Sequence, residues 1–248
     1  MVKKMLAEAT VDRGRIQDDL EYGSEIIDFD YALSYLLQSR RSIKLFDSDV
    51  AVSDKSIADI ISSAAYAPSA FNLQPWRVIQ INSDSVRARL SDLAWRQPQI
   101  STASRLLLIA YDNYAWDRTS AYQQFSSSEL RNKIYSSVSS VYKKNPKLAR
   151  DEAIRASSLY AMNVLLAAEA KGFQSCALTG FDFDGVAELM NMPADWECCM
   201  LIAIGKSSDD NVFREQYRQE KDAYAMTDVD LLRGQSLADE SRINGELL

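Results

Sequence analysis

The 248-residue chain has no histidine. That removes Ser-His-Asp and Cys-His nucleophilic schemes, histidine-ligated zinc and a histidine general base together. Cysteine is nearly as scarce: Cys176, Cys198 and Cys199 are the only three, and no CxxC pair occurs. The adjacent two fall in the apolar run Cys198-Cys199-Met200-Leu201-Ile202, a strand pattern in which neighbours point to opposite faces. They read as buried free thiols rather than a metal or redox centre. No apolar run approaches the roughly 18 residues of a membrane span. The opening MVKKMLAEATVDRGRIQDDL shows neither an apolar stretch nor a small-residue cleavage site. Positive charge is not in excess either; the formal balance is −7, against the basic stripe of a nucleic-acid binder and against an anionic-membrane binder. The expectation is a cytoplasmic protein with no nucleic-acid and no membrane partner. If it is an enzyme, a bound cofactor carries the difficult chemistry.

What is present is apolar patterning for one sizeable core, 47% of the residues being hydrophobic. Residues 1–27 are polar and read as an extended arm. Phe29, Leu33, Leu36 and Leu37 recur at helical spacing up to Arg40-Arg41-Ser42. Ser53 is placed to cap a second helix with the stripe Ile57, Ile60, Ile61 and Ala64, stopped by Pro68. Residues 77–81 read as a strand, 84–95 as a helix and 105–111 as a buried strand. From Asp112 to about Pro146 the chain turns to Ser, Asn, Lys and scattered tyrosines (Tyr114, Tyr122, Tyr135, Tyr142), as in an insertion or mobile cover. A helix over roughly 148–171 is apolar almost all round from Tyr160 to Ala170, which places it in a core or an interface; Gly172 is its expected stop. A short strand at 176–178, a turn at Gly180, a helix over 184–191 and a strand over 196–204 follow. That last strand is too uniformly apolar for an exposed edge. Beyond Gly205 lies a charged tail. Irregular alternation of strands and helices gives the α+β class.

Three constellations carry chemistry. Arg40-Arg41-Ser42-Ile43-Lys44 follows a helix end, and a guanidinium fork beside a hydroxyl suits a phosphate monoester; cations also favour a helix C-terminus on dipole grounds alone. In Ala67-Pro68-Ser69-Ala70-Phe71-Asn72-Leu73-Gln74-Pro75-Trp76, two prolines bracket uncharged donors and acceptors that suit the polar edge of a heterocycle or a ribityl chain; an ordinary capped turn has the same composition. In Leu178-Thr179-Gly180-Phe181-Asp182 the glycine lets backbone approach a flat ligand, a weak signal by itself.

Taken together, RRSIKLF, APSAFNLQPW, the long alanine-rich helix SSLYAMNVLLAAEAKGF, LTGFD and a strand ending Ile-Gly-Lys resemble the FMN-dependent nitroreductase family over about residues 30–206. The resemblance implies a mostly antiparallel sheet flanked by helices in an intertwined homodimer. It divides the chain into an arm (1–27), an FMN-binding domain (28–206, with 112–146 as variable cover) and a tail (207–248) that wraps the partner. It further implies that Arg40, Arg41 and Ser42 hold the FMN phosphate and ribityl region, with Lys44 near the pyrimidine edge of the ring. Pro68, Ser69, Ala70, Asn72 and Gln74 would come from the other subunit, Gln99 would meet the pyrimidine ring, and backbone around Leu178, Thr179 and Gly180 would face the flavin's N5 side.

This chain also departs from the family pattern. Arg96 stands where many relatives have Asn, and it adds charge near the flavin or points away. Thr179 replaces a common glutamate, which a backbone contact survives. The Lys-x-Arg pair that closes the phosphate site is missing, leaving Arg214 or Arg218 as substitutes between which the sequence does not choose. Phe71 sits where small polar residues are common and would narrow the substrate face. The implied activity is ping-pong hydride transfer from NADH or NADPH through FMN to nitroaromatics, quinones or similar small planar acceptors. The alternatives are another flavin reaction on the same fold, such as dehalogenation or enone reduction, or an FMN-binding protein without turnover.

Overall fold

The uniformly apolar stretch around Cys198 to Ile204 lies at the centre of a five-stranded sheet in the computed structural model, which describes residues 29–210. In chain order the strands are β1 (Phe46–Asp47), β2 (Trp76–Gln80), β3 (Arg105–Asp112), β4 (Gln174–Leu178) and β5 (Trp196–Ser207). One edge of β5 pairs antiparallel with β3, and β2 pairs outside β3. The other edge pairs with β4 along Leu201–Gly205 and then with β1 at Lys206 and Ser207. A strand hydrogen-bonded on both edges and covered on both faces has no solvent side, so its sequence does not alternate.

Helices α1 (Phe29–Ser39), α2 (Asp54–Ala64), α3 (Asp84–Leu93), α4 (Pro98–Thr102), α5 (Ser128–Tyr142), α6 (Pro146–Ala170) and α7 (Phe183–Leu189) supply those covers. On one face Ile57, Ile60 and Ala64 of α2 and Ala153, Tyr160 and Val164 of α6 pack on Leu107, Ile109, Ile202 and Ile204. On the other, Leu90, Ile100 and Val186 pack on Leu106, Leu108, Leu201 and Ala203. The register slips once: Ile109 faces Met200 but Ala110 faces Cys198, so Cys199 is an extra residue on β5. This β-bulge turns Cys199 and Met200 to the same face and leaves Cys198 on the opposite one.

Local signals act where the sequence places them. The Ser53 hydroxyl accepts the Ser56 N–H and starts α2. Gly172, at φ +74°, ends α6, with Phe173 N–H reaching back to Ala168 O and Gly172 N–H to Glu169 O. Tyr160 stacks on Trp76 with ring centroids 5.1 Å apart and donates its hydroxyl to Ile61 O, joining α6 to β2 and α2. The expected helix at 29–39 forms but buries none of its residues within one chain. On α6, Leu159 and Met162 likewise remain exposed.

The serine-rich stretch read as an insertion or cover is folded. Two 3-10 turns (Ala115–Asp117 and Thr119–Tyr122) lead into α5, which Ser127 caps, and Trp116, Tyr122, Val138 and Tyr142 form a small core of their own with Ala149. Its entry is pinned by Asp112, 1% exposed at the end of β3. Arg77 Nη2 and Arg118 Nε donate to Asp112 Oδ2, each at 2.9 Å, and Tyr114 N–H donates to Oδ1 at 2.9 Å. Arg118 also reaches Asp195 at 2.9 Å. The arm 1–27, Arg214, Arg218 and the tail beyond Asp210 lie outside the described residues.

Asp112→Asn keeps the shape and removes the charge that both guanidiniums face. Both arginines retain access to water, so the expected loss is about 2–3 kcal/mol rather than that of a fully buried pair. Urea unfolding checks this; a variant within about 0.5 kcal/mol of the parent would contradict the anchor.

Candidate active site

The residues of the first and third motifs meet at the β4 edge of the sheet. Arg40 follows α1, its N–H donating to Leu36 O at the helix end. Ser42 forms a parallel bridge with Ser175, and Ile43 N–H donates to Ser175 O at 3.1 Å. Ile43 and Phe46 enter the core, so the segment between them is held from below while Ser42 and Lys44 stay exposed. Lys44 Nζ lies 3.7 Å from Cys176 Sγ on β4. Gln99, in α4, is 1% exposed; its Nε2 lies 4.0 Å from the same sulfur and donates to Gln97 Oε1 at 3.3 Å. Gln97 Nε2 in turn donates to Gly180 O at 2.6 Å. One chain therefore brings Lys44, Gln99 and the Thr179-Gly180 turn together, with Gln97 as the link that sequence reasoning passed over. Leu178 is part of the core, which leaves only its backbone to face a ligand.

Four polar atoms along these segments are buried without a partner: Ser39 Oγ, Arg41 Nη1, Gln99 Oε1 and Ser175 Oγ. An unmet buried polar atom costs about 1–3 kcal/mol, a cost that a bound polar ligand would offset. Gly180 sits close under Trp95: a Cβ there would stand 3.0 Å from the ring, which would have to give by a few tenths of an ångström. Trp95 and Arg96 have φ of 54° and 55°, a left-handed pair that closes α3 with Arg96 N–H donating to Ser91 O. Bulky side chains rarely adopt this conformation. The Arg96 side chain pairs with Asp92 at 2.9 Å on the exposed surface of α3.

The second motif stands elsewhere. Ser69 Oγ accepts the Gln74 N–H, and Phe71, Asn72 and Gln74 have φ of 53°, 53° and 47°. Pro68 and Phe71 are exposed, and Ala70 is half-buried at the start of a 3-10 turn. Asn72 and Gln74 open on a polar cavity of about 220 Å³ shared with Arg77, Arg118, Ser120 and Gln124. None of Arg40, Ser42, Lys44 or Gln99 lines it.

A larger cavity, about 540 Å³, opens beside Thr179 between α6, α7 and β5. Glu197 in its wall is raised by burial, but hydrogen bonds from Tyr111, Asn113 and Arg150 outweigh this and hold it below the ordinary carboxylate range. Burial, then Glu197, pushes Tyr111 above its usual range. Neither is placed to exchange a proton near neutrality. The thiols are no more reactive. Burial pushes Cys176 up, Lys44 only partly offsetting it, pushes Cys198 up to about 11, and raises Cys199. None of these groups is a poised nucleophile or general base.

The family model described as Nitroreductase family matches residues 37–206. The chain belongs to the nitroreductase family. Protein DrgA of Synechocystis sp. (strain ATCC 27184 / PCC 6803 / Kazusa) is 37% identical over 175 residues, 70% of this chain and 83% of that protein. YodC of Bacillus subtilis (strain 168), classed as an NAD(P)H nitroreductase, is 30% identical over 69% of this chain and 88% of its own. Among solved structures, a nitroreductase-class protein in complex with FMN from Exiguobacterium sibiricum 255-15 superposes with a TM-score of 0.72 at 27% identity, covering 82% of this chain and 99% of that one. Membership of the nitroreductase family makes this chain an oxidoreductase, and its α+β antiparallel architecture is the one those relatives share.

All three cysteines are buried, with thiol pKa values raised mainly by burial. At neutral pH the native protein should therefore leave a disulfide-exchange thiol reagent almost unconsumed and react fully once unfolded. Prompt labelling of Cys176 in the native state would show a lowered thiol and reopen thiol chemistry at the site.

Proposed function

We propose that the chain works as a homodimer that holds FMN between its subunits and uses NADH or NADPH to reduce small planar acceptors such as nitroaromatics or quinones. The observation that carries this reading is the division of the site. One chain assembles the Arg40-Arg41-Ser42, Lys44, Gln99 and Thr179-Gly180 half around unpartnered buried polar atoms, and directs the Ser69–Gln74 half to a different cavity. Two such chains, related by symmetry, bring unlike halves together twice. The uncovered apolar surfaces support a second copy: Tyr31 is 70% exposed on α1, and Leu159 and Met162 form a stripe along α6.

The residues present fit the cofactor. Arg40, Arg41 and Ser42 offer the guanidinium and hydroxyl donors a phosphate monoester needs, and the orphaned Arg41 Nη1 is one of them. Gln99 Oε1 is an acceptor suited to a ring imide N–H, and Lys44 supplies a cation for the electron-rich edge of the ring. Asn72 and Gln74 of the partner subunit add uncharged donors and acceptors on the other side. Bound FMN supplies the hydride chemistry that no side chain here offers. Gln97, by holding the Gly180 carbonyl, fixes the backbone turn against which the ring would rest. Phe71, exposed on its strained loop, narrows the open face toward flat acceptors.

The purified protein should be yellow, release FMN on unfolding, and bleach anaerobically with NADH or NADPH until a quinone or nitroaromatic restores the colour. A colourless protein, or a flavin that neither nucleotide bleaches, would contradict the proposal. Gln99→Met fills the same space without the orphaned acceptor. It should leave the apoprotein as stable as the parent or more so, and weaken FMN about tenfold, measured by flavin fluorescence titration.

A further inference from the structure

Gln124 lies between the second 3-10 turn and α5, far in sequence from every motif. Both hydrogens of its carboxamide are committed, and its oxygen is engaged as well. Oε1 accepts from Asn72 Nδ2 at 2.8 Å, while Nε2 donates to Phe71 O at 3.1 Å and to Ala121 O at 2.8 Å. Asn72 Oδ1 then accepts from Gln74 Nε2 at 3.2 Å. An amide's nitrogen only donates and its oxygen only accepts, so the chain of bonds has a single direction. Both hydrogens of Gln124 go to carbonyls, which turns its oxygen to Asn72. The Asn72 nitrogen must then face Gln124 and its oxygen must face Gln74. What these two side chains have left to present outward is one N–H each, the Gln74 oxygen and a second lone pair on the Asn72 oxygen. The backbone beneath is left-handed at Phe71, Asn72 and Gln74, a shape that side-chain-bearing residues keep only where something holds it. The Phe71 carbonyl is one of the atoms Gln124 holds.

We propose that Gln124 is a positioning residue for the cofactor loop: it clamps the left-handed turn through the Phe71 carbonyl and dictates which atoms Asn72 and Gln74 turn toward the partner's flavin. The folded cover segment thereby sets the polarity of one side of the site through the Asn72 and Gln74 side chains. This rests on the reading that residues 69–74 complete the partner's FMN site.

The test uses the full-length holoprotein with Gln124→Met, Gln124→Glu and a control, Tyr135→Phe. The control removes a hydrogen bond to Asp117 in the same segment but leaves the loop alone. FMN affinity, the visible flavin spectrum, thermal midpoint, and kcat and KM with a quinone are read for each. Gln124→Met should weaken FMN about tenfold and shift the flavin band, with a thermal midpoint of the apoprotein like that of Tyr135→Phe. Gln124→Glu has no hydrogen for the Phe71 carbonyl while ionised, so it should match Gln124→Met at neutral pH. It should recover affinity as the pH falls toward the ordinary glutamate range, about 4.3, where a protonated carboxyl donates again. Parent and Tyr135→Phe should show no such recovery. A Gln124→Met protein with parental FMN affinity and spectrum overturns the proposal. So does a loss that follows the thermal midpoint with no acid recovery in Gln124→Glu, since Gln124 would then be structural only. A parent that binds no FMN overturns the functional reading itself, and this inference with it.

Discussion

Backbone hydrogen bonding along both edges of β5 fixes where each motif stands. The β3 edge carries β2, and β2 follows directly from the proline loop, so the Ser69–Gln74 turn is delivered to one end of the sheet. The β4 edge carries Cys176 and the Thr179-Gly180 turn, and β1 holds the strand end of the arginine-serine segment. A register slip of one residue on either edge would turn the buried set of that strand to the wrong face. The bulge at Cys199 shows how the fold absorbs an extra residue without that penalty. Helices on both faces then shut the Leu201–Ile204 stretch of β5 off from water, and its composition is a consequence of that position.

The chemistry of the site follows from what this framework can hold. Without histidine, and with the thiols and Glu197 moved away from neutral titration, the polar groups that converge are amides, hydroxyls, guanidiniums and one lysine. In the proposed reading such a set holds an uncharged heterocycle with a charged phosphate end. It does not cut bonds by itself. The family relationship and this donor set agree, because a flavoenzyme needs orientation and electrostatic support from its protein more than it needs acid–base side chains.

How far the sequence could be read depended on the range of the forces involved. The helices around Ile57–Ala64 and Tyr160–Ala170 and the strands at Leu106–Tyr111 and Cys198–Ile204 announce themselves because burial imposes a local period. Helix α5 was missed although Leu130, Ile134, Val138 and Tyr142 recur every four residues; serines between them hid the stripe. Short α4 and two-residue β1 have too few positions to show any period. The motif residues Ser42, Asn72 and Gly180 were legible through family resemblance, whereas Gln97 and Gln124 were not. Their partners lie 83 and 52 positions away in the chain, and only the fold brings them within reach. The left-handed residues Phe71, Gln74, Trp95 and Arg96 are of the same kind, since nothing in their composition favours φ above zero; of the loop's left-handed residues only Asn72 is a type that does.

The central claim is that neither chain alone encloses the cofactor, because the phosphate-binding half and the proline-loop half of each chain face different spaces. Sedimentation velocity recorded in the visible flavin band, across a dilution series, tests it most directly. The account predicts that bound flavin travels only with a two-chain species and is released into the slow free fraction as dilution separates the chains. Flavin that continues to sediment with a single chain would contradict it.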